Sequence, residues 1–330
     1  MRQLIIDTDL GFDCDDAGAL AFANILHNEG VVSLLAVTHS VNRQIGAAAI
    51  RNINTYYKNP DIPVGVSARY AIDVDRFFEE FYAKFRYAER FPGWGEKPSF
   101  YKLFGALNER ADIPAFPAAI DVIEQTLLRS EEKSVTFVCI GQANNIADML
   151  EDIPVNEGSM TRRELFFKKV SRVVIMCGRF IDYEKEYRLG DLYWRGEFNV
   201  LLDIPSAQKL FAQTQLPICV LDFDQGEGVL AGSGLQAQTD NPVREMYLAH
   251  GGGVQMDLPA WDIMAVMFAS GAFEGMFTLS GRGCVAIDDN GKSVFRAWEG
   301  NHRLIKRKSA PEEFSATINR VLREGCNCRQ

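Results

Sequence analysis

The chain has 330 residues, 47% of them hydrophobic, enough for a well-buried core and for one large α/β domain or two smaller ones. A formal net charge of −9, with no basic stripe or polybasic run, argues against a nucleic-acid-binding surface, and no run approaches the roughly twenty apolar residues of a membrane span. Met1-Arg2-Gln3 enters a strand at once, so no signal peptide is expected; the seven cysteines, odd in number and mostly set in apolar runs, read as small reduced core residues of a cytoplasmic protein.

In chain order, the first predicted strand is Leu4-Ile5-Ile6, and it runs into Asp7-Thr8-Asp9-Leu10-Gly11-Phe12-Asp13-Cys14-Asp15-Asp16 before a helix over Ala17–Ala23. Val31–Thr38 reads as a second strand, Ala47–Tyr57 as a helix, and Asp61–Val64 as an edge strand or turn. Residues 77–100, rich in Phe, Tyr, Glu and Lys, read either as a helix with a lid loop over a pocket or as an aromatic surface insertion, carrying Trp94. Ala118–Ile123 and Ile146–Leu150 mark further helices, and Val135–Ile140, Arg172–Cys177 and Ile218–Leu221 further strands. Apolar strands alternating with helical stretches predict a Rossmann-like, mostly parallel α/β sheet with helices on both faces. Asn290-Gly291 signals a C-terminal hairpin around 283–296. No repeat or linker divides the chain, so 1–330 is expected to be a single domain.

The acid cluster after the first strand carries the chemistry. Five carboxylates within ten residues repel one another unless cations, hydrogen-bond donors or water offset the charge. An all-oxygen donor set favours Ca²⁺ or Mg²⁺ over zinc. Its place at the end of a strand is where open α/β sheets bind ligands. An EF-hand loop from Asp7 fails, because Phe12 and Gly18 stand where Gly and Glu are required. A phosphatase with Asp7 as nucleophile and Asp9 as acid is weakened by Gly11, where Thr or Val is wanted. No P-loop or G-x-G-x-x-G follows any strand. The bland alternative is that Asp15 or Asp16 simply caps the helix at Ala17; it leaves Asp7 and Asp9 unexplained.

Asp7-Thr8-Asp9-x-Gly11 followed by Asp15-Asp16-Ala17 resembles the signature of the nucleoside hydrolases of the inosine–uridine-preferring kind. Further motifs follow in the family's order: Ala36-Val37-Thr38 with Asn42, Gly141-Gln142-Ala143-Asn144-Asn145, Met176-Cys177-Gly178, Glu197-Phe198-Asn199 and Trp261-Asp262. The resemblance implies hydrolysis of the N-glycosidic bond of a ribonucleoside to ribose and free base, on a homodimer or homotetramer, with no nucleic-acid or membrane partner. It implies Ca²⁺ held by Asp9, Asp16, the Asn144 carbonyl and Asp262, with Asp9 also the general base toward water. Asp15, Asn42, Glu197 and Asn199 would bind ribose hydroxyls, and Met176 would pack near the sugar. Breaking such a bond passes through an oxocarbenium-like cation, which a ring of acids stabilises.

Two departures from the family pattern stand out. Three residues, not one, separate Gly11 from the Asp15-Asp16 pair, leaving the division of roles among Asp13, Asp15 and Asp16 open. Trp261 stands where many members carry a proton-donating His. An indole is no ordinary acid but can stack on a heterocycle, which implies a preference for purines, with core packing as the alternative. A hydrolase of another N-ribosyl compound, or a ribose- or nucleoside-binding protein with little turnover, are the rival functions. His39 reads as a hydrogen-bonded structural histidine, Asp222 and Asp224 as solvated loop acids, Gly251-Gly252-Gly253 as a hinge, and Cys326 and Cys328 as incidental thiols.

Overall fold

The computed structural model describes residues 1–12, 14–69, 113, 115–155, 158, 160–180, 196–250 and 257–325. Its strands are β1 (Arg2–Thr8), β2 (Val32–His39), β3 (Val64–Val66), β4 (Val135–Cys139), β5 (Val170–Met176), β6 (Ile218–Leu221), β7 (Leu230–Ala231), β8 (Leu258–Pro259), β9 (Phe277–Leu279), β10 (Gly283–Ile287), β11 (Ser293–Ala297) and β12 (His302–Arg307). Ten of them form one sheet in the order β11-β10-β12-β6-β5-β4-β1-β2-β3, with β9 pairing β12; β7 and β8 pair separately. The run from β3 to β6 and on to β12 is parallel, and β9, β10 and β11 add antiparallel pairs at one side.

The period-two alternation of the central strands sorts their side chains between two cores. Leu4, Ile6, Val138, Val174, Met176, Cys219 and Leu221 join one apolar cluster. Ile5, Phe137, Cys139, Val173, Ile175, Ile218 and Val220 join the other. Both faces are therefore covered, which is why these strands read as unbroken apolar runs.

Four helices matter for the site: α1 (Asp15–Asn28), α2 (Gln44–Tyr56), α3 (Asn144–Met149) and α4 (Trp261–Ser270). Every α1 residue from Asp15 to Leu26 is buried. A helix so enclosed needs small side chains where its neighbour approaches. At Gly18 a Cβ would stand 2.7 Å from Ile263 Cδ1 of α4 and 2.5 Å from the Tyr247 hydroxyl. That close packing sets the amino end of α1 beside the amino end of α4. The β10–β11 hairpin forms as Asn290-Gly291 predicts, Gly291 taking φ +82°.

Candidate active site

The strand order 3-2-1-4-5-6 reverses between β1 and β4, and ligands of open α/β sheets sit in the crevice outside the carboxyl ends at such a reversal. The acid loop leaves β1 at that crevice. Asp7 is fully buried; its Oδ1 accepts from the Thr38 hydroxyl at 2.6 Å and the Asn145 amide at 2.8 Å, and its Oδ2 has no hydrogen-bond partner among the described residues. Burial pushes its carboxyl up to about 7 against the pull of those two donors. Asp9 follows, also buried, and lies against Gly141: a Cβ there would stand 2.8 Å from the Asp9 nitrogen and 2.9 Å from its carboxyl carbon. Glycine at 141 is thus what lets the β4 turn press against the acid loop.

Asp15 and Asp16 occupy the first turn of α1, and Asp262 the first turn of α4. One carboxylate oxygen from each lies within 4.8 Å of the others, and all three residues are buried. The Asp262 N–H donates to Asp15 Oδ2 at 3.0 Å, and the Thr8 hydroxyl donates to Asp16. Helix capping does not explain the pair. The N-cap of α1 is Cys14, with no side-chain cap bond, so Asp15 and Asp16 lie inside the helix. Two converging helix amino ends contribute partial positive charge to the carboxylates, but three acids at this spacing still call for a cation. Oxygens bound to one ion at about 2.4 Å are at most about 4.8 Å apart, so the three could share a single cation. An all-oxygen trio with that spread fits a hard divalent ion, and the residues present suit the group the family pattern implies.

The remaining expected residues are each held by hydrogen bonds to the backbone around them. Asn144 donates to the Ser40 carbonyl at 2.7 Å and to Ser67 Oγ at 3.2 Å, tying the β4 turn to the loops after β2 and β3. Asn42 donates to the Ala68 carbonyl at 3.2 Å. Asn199 donates from its amide to the Met176 carbonyl at 3.0 Å and approaches Met176 Sδ at 3.4 Å, which leaves its Oδ1 as an acceptor. Glu197 caps the helix Phe198–Leu202, accepting from the N–H groups of Asn199 at 2.9 Å, Gly178 at 2.8 Å and Val200 at 3.4 Å. Burial raises its carboxyl to about 7 although the backbone donors pull it down.

Trp261 is part-buried, stacked on Phe223 with centroids 5.0 Å apart at 26°, and donates its indole N–H to the Phe223 carbonyl at 2.8 Å. Gly226 presses on the same ring, where a Cβ would meet Cδ1 at 1.9 Å. The indole is therefore fixed by protein contacts before any base arrives.

Two sequence readings of the neighbouring polar residues fare differently. His39 is buried, its Nδ1 2.8 Å from the Val41 carbonyl and its Nε2 3.0 Å from that of Leu10, so both ring nitrogens are taken up by the backbone and it is a structural histidine, as expected; burial lowers its pKa to about 4 against those two contacts. Asp222 is no solvated loop acid. It is 2% exposed, caps the helix Phe223–Gly226, and burial raises it to about 6. Asp224 is ion-paired with Arg179 at 2.7 Å. A short helix start after Leu221 was the available signal for the cap; nothing local announced Arg179. Asp13, Trp94 and the 77–100 insertion, the glycines at 251–253, and Cys326 and Cys328 lie outside the described residues.

Comparison with known proteins follows the same lines. The family model for inosine-uridine preferring nucleoside hydrolases matches residues 4–303. A pyrimidine-specific ribonucleoside hydrolase, RihA, of Klebsiella pneumoniae subsp. pneumoniae is 28% identical over 226 residues, 67% of this chain and 60% of that protein. The match thus spans about 60% of the length of that curated relative. Among solved structures, a purine-preferring ribonucleoside hydrolase from Gardnerella vaginalis superposes with a TM-score of 0.64 at 17% identity, over 98% of this chain and 100% of that one. The type III effector protein XopQ, complexed with adenosine diphosphate ribose, superposes with a TM-score of 0.71 at 15% identity, over 98% and 94%. At these identities the structures share the fold.

Proposed function

The chain belongs to the inosine-uridine preferring nucleoside hydrolase family, and from that premise we propose that it hydrolyses the N-glycosidic bond of a ribonucleoside to ribose and free base. The observation that carries the reading is the convergence of Asp15, Asp16 and Asp262 after β1, a trio that does not include Asp9, which lies buried in the same loop against Gly141. Calcium, held by Asp9, Asp16, Asp262 and the Asn144 carbonyl, would supply a grip on the ribose diol and acidify water at neutral pH. Asp9 takes the proton of the attacking water as general base. Asp15 and Asn42 orient ribose hydroxyls, and Asn199 accepts from one through Oδ1. Glu197 sets the loop that carries Asn199 and presents its remaining lone pairs to the sugar, with Met176 packed beneath it. The buried carboxylates favour the cationic transition state over the neutral nucleoside, which is the differential binding that catalysis needs.

On this reading purines are favoured, through the part of Trp261 that Phe223 and Gly226 leave open. The pyrimidine specificity in the name of the K. pneumoniae relative points the other way, so the base panel is the informative arm. The working assembly is a cytoplasmic homodimer or homotetramer of a one-domain chain. Among the described residues no helix is long and apolar enough to cross a membrane.

The test is a panel of purine and pyrimidine ribonucleosides with calcium, quantifying free base and ribose, with EDTA-treated and Asp9→Asn controls. Losing a general base costs about 10²–10⁴ in rate, so release that collapses in both controls supports the assignment. No release from any nucleoside, despite calcium and ribose binding, would sink it in favour of another N-ribosyl substrate or a binding role.

A further inference from the structure

A second cleft, of about 660 Å³, opens at the other end of the sheet. Thr214 and Gln215 precede β6, and the turn from Trp298 to Asn301 precedes β12. These two strands are parallel, Ile218 opposite His302, so the cleft lies at their amino ends, whereas the acid site lies at the carboxyl ends. Its walls are tied together: the Asn301 N–H donates to the Thr214 carbonyl at 2.8 Å, the Asn301 amide to the Gln215 carbonyl at 3.1 Å, and the Trp298 N–H to the Arg282 carbonyl at 2.9 Å. A Cβ on Gly300 would stand 3.0 Å from both the Gly283 and Thr214 carbonyl oxygens, so the turn sits tight against both walls.

Trp298 is the unexplained residue. Its φ is +74°, a left-handed conformation that favours glycine or asparagine, and its side chain is 91% exposed. Among the described residues it stacks on no ring and its indole donates no hydrogen bond. Neither burial nor a polar contact accounts for a bulky aromatic at a strained turn position. Arg282 and Arg303 line the same cleft, and neither has an acidic partner among the described residues, although acids outnumber bases in the chain by 44 to 35. An open cleft offering an aromatic plate, two guanidinium groups and one carboxylate, Glu299, has the recognition groups for a planar ring joined to an anion and to hydrogen-bond donors.

We propose that the cleft between Trp298, Arg282 and Arg303 is a binding site for a mononucleotide, separate from the acid site. The ring stacks on Trp298, the phosphate sits between Arg282 and Arg303, and Glu299 accepts from a sugar hydroxyl or an exocyclic amine. The net charge of −9 favours a small nucleotide over a polynucleotide. The inference does not rest on the activity assigned to the acid site.

The test uses the full chain labelled with 5-fluorotryptophan, whose four indoles are resolved by fluorine NMR, with the Trp298 signal assigned from Trp298→Gly. AMP is the probe; adenosine, inorganic phosphate and a single-stranded RNA oligonucleotide are the comparators. The expected result is a saturable shift of the Trp298 signal by AMP, with the Trp261 signal unmoved at the same concentrations. Adenosine and phosphate should each bind at least about tenfold more weakly, because each forfeits one of the two contacts. Replacing Arg282 and Arg303 together by Ala should weaken AMP by a similar factor or more. Trp298→Gly, which suits the positive φ, should fold as stably as the parent, keep nucleoside hydrolysis and lose AMP at this site by direct binding measurement. An unmoved Trp298 signal would overturn the proposal. So would phosphate or adenosine matching AMP, an oligonucleotide binding where AMP does not, or undiminished AMP binding in the arginine double variant.

Discussion

Buried carboxylates stand at the carboxyl ends of strands in two parts of this molecule, and they are held in opposite ways. At the ends of β5 and β6, Glu197 and Asp222 each cap a short helix and take up backbone N–H groups. After β1, Asp15 and Asp16 lie inside a helix that they do not cap, and with Asp262 they bring oxygens within 4.8 Å of one another. Burial alone therefore does not mark a reactive acid. A capping carboxylate is partly committed to its own fold, while three oxygens converging from two helix amino ends are arranged for something the fold does not supply.

The largest effect that separates the two sets comes from Asp262→Asn. Calcium binding by calorimetry should be lost, and turnover at fixed calcium should fall about a thousandfold, several kcal/mol of transition-state stabilisation. The same change should raise the melting temperature of the EDTA-treated protein, because one of three mutually repelling charges is gone. A lower melting temperature without metal would mean that Asp262 is structural after all. Glu197→Ala should behave in the reverse sense. It leaves three buried N–H groups unmet, at roughly 1 kcal/mol or more each, so denaturation should show about 3 kcal/mol lost whether or not calcium is present. A loss seen only with calcium would move Glu197 into the metal site.

Gly141→Ala tests the contact beneath the acid loop. Its new methyl must displace the Asp9 backbone or carboxyl from 2.8–2.9 Å, an overpacking cost of about 2 kcal/mol. Activity should fall further than calcium affinity, because Asp9 is the residue pushed. Equal falls would show that the whole ligand set moves together.

Much of this arrangement is legible in the sequence because it is local. The strand β6 spans the predicted Ile218–Leu221, β4 ends one residue before Ile140, and the hairpin follows Asn290-Gly291, since unbroken apolar runs and turn residues determine them within a few positions. The acid loop stood out for the same reason, as five charges cannot hide in ten residues. What the sequence did not disclose depends on distant partners. Asp222 looked solvated because nothing nearby shows that β12 and the helix after β6 enclose it. Arg179 shows its role only when Asp224 and the face of Phe223, 4.9 Å away, are brought to it. The family resemblance pairs Asp16 with Asp262 in advance, but not Asp15 with them, and their approach depends on how closely Gly18 lets α4 pack on α1.

The most gradual effect is a slope in pH, and it probes a capping carboxylate without any metal. Glu197 carries a pKa of about 7 in the fold against an ordinary 4.5, because its burial outweighs its backbone donors. Between those values the folded state keeps a proton that the unfolded chain has released. Unfolding then releases it, and the stability this proton contributes, fully present below about 4.5, is lost as pH rises through 7. His39 acts in the other direction: its pKa falls from 6.5 to about 4, so its share is lost as pH drops through that window. The raw profile mixes these groups. The difference between the parent and Glu197→Gln does not, since glutamine cannot titrate and every other group is common to both. In EDTA the parent should lose roughly 1.4 kcal/mol per pH unit more than the variant across that window, the value for one proton. Parallel profiles would mean that Glu197 is ionised throughout, its three N–H donors having overcome burial. It would then carry a full negative charge beside the sugar site at neutral pH, and the contrast between capping and converging acids would narrow to geometry alone.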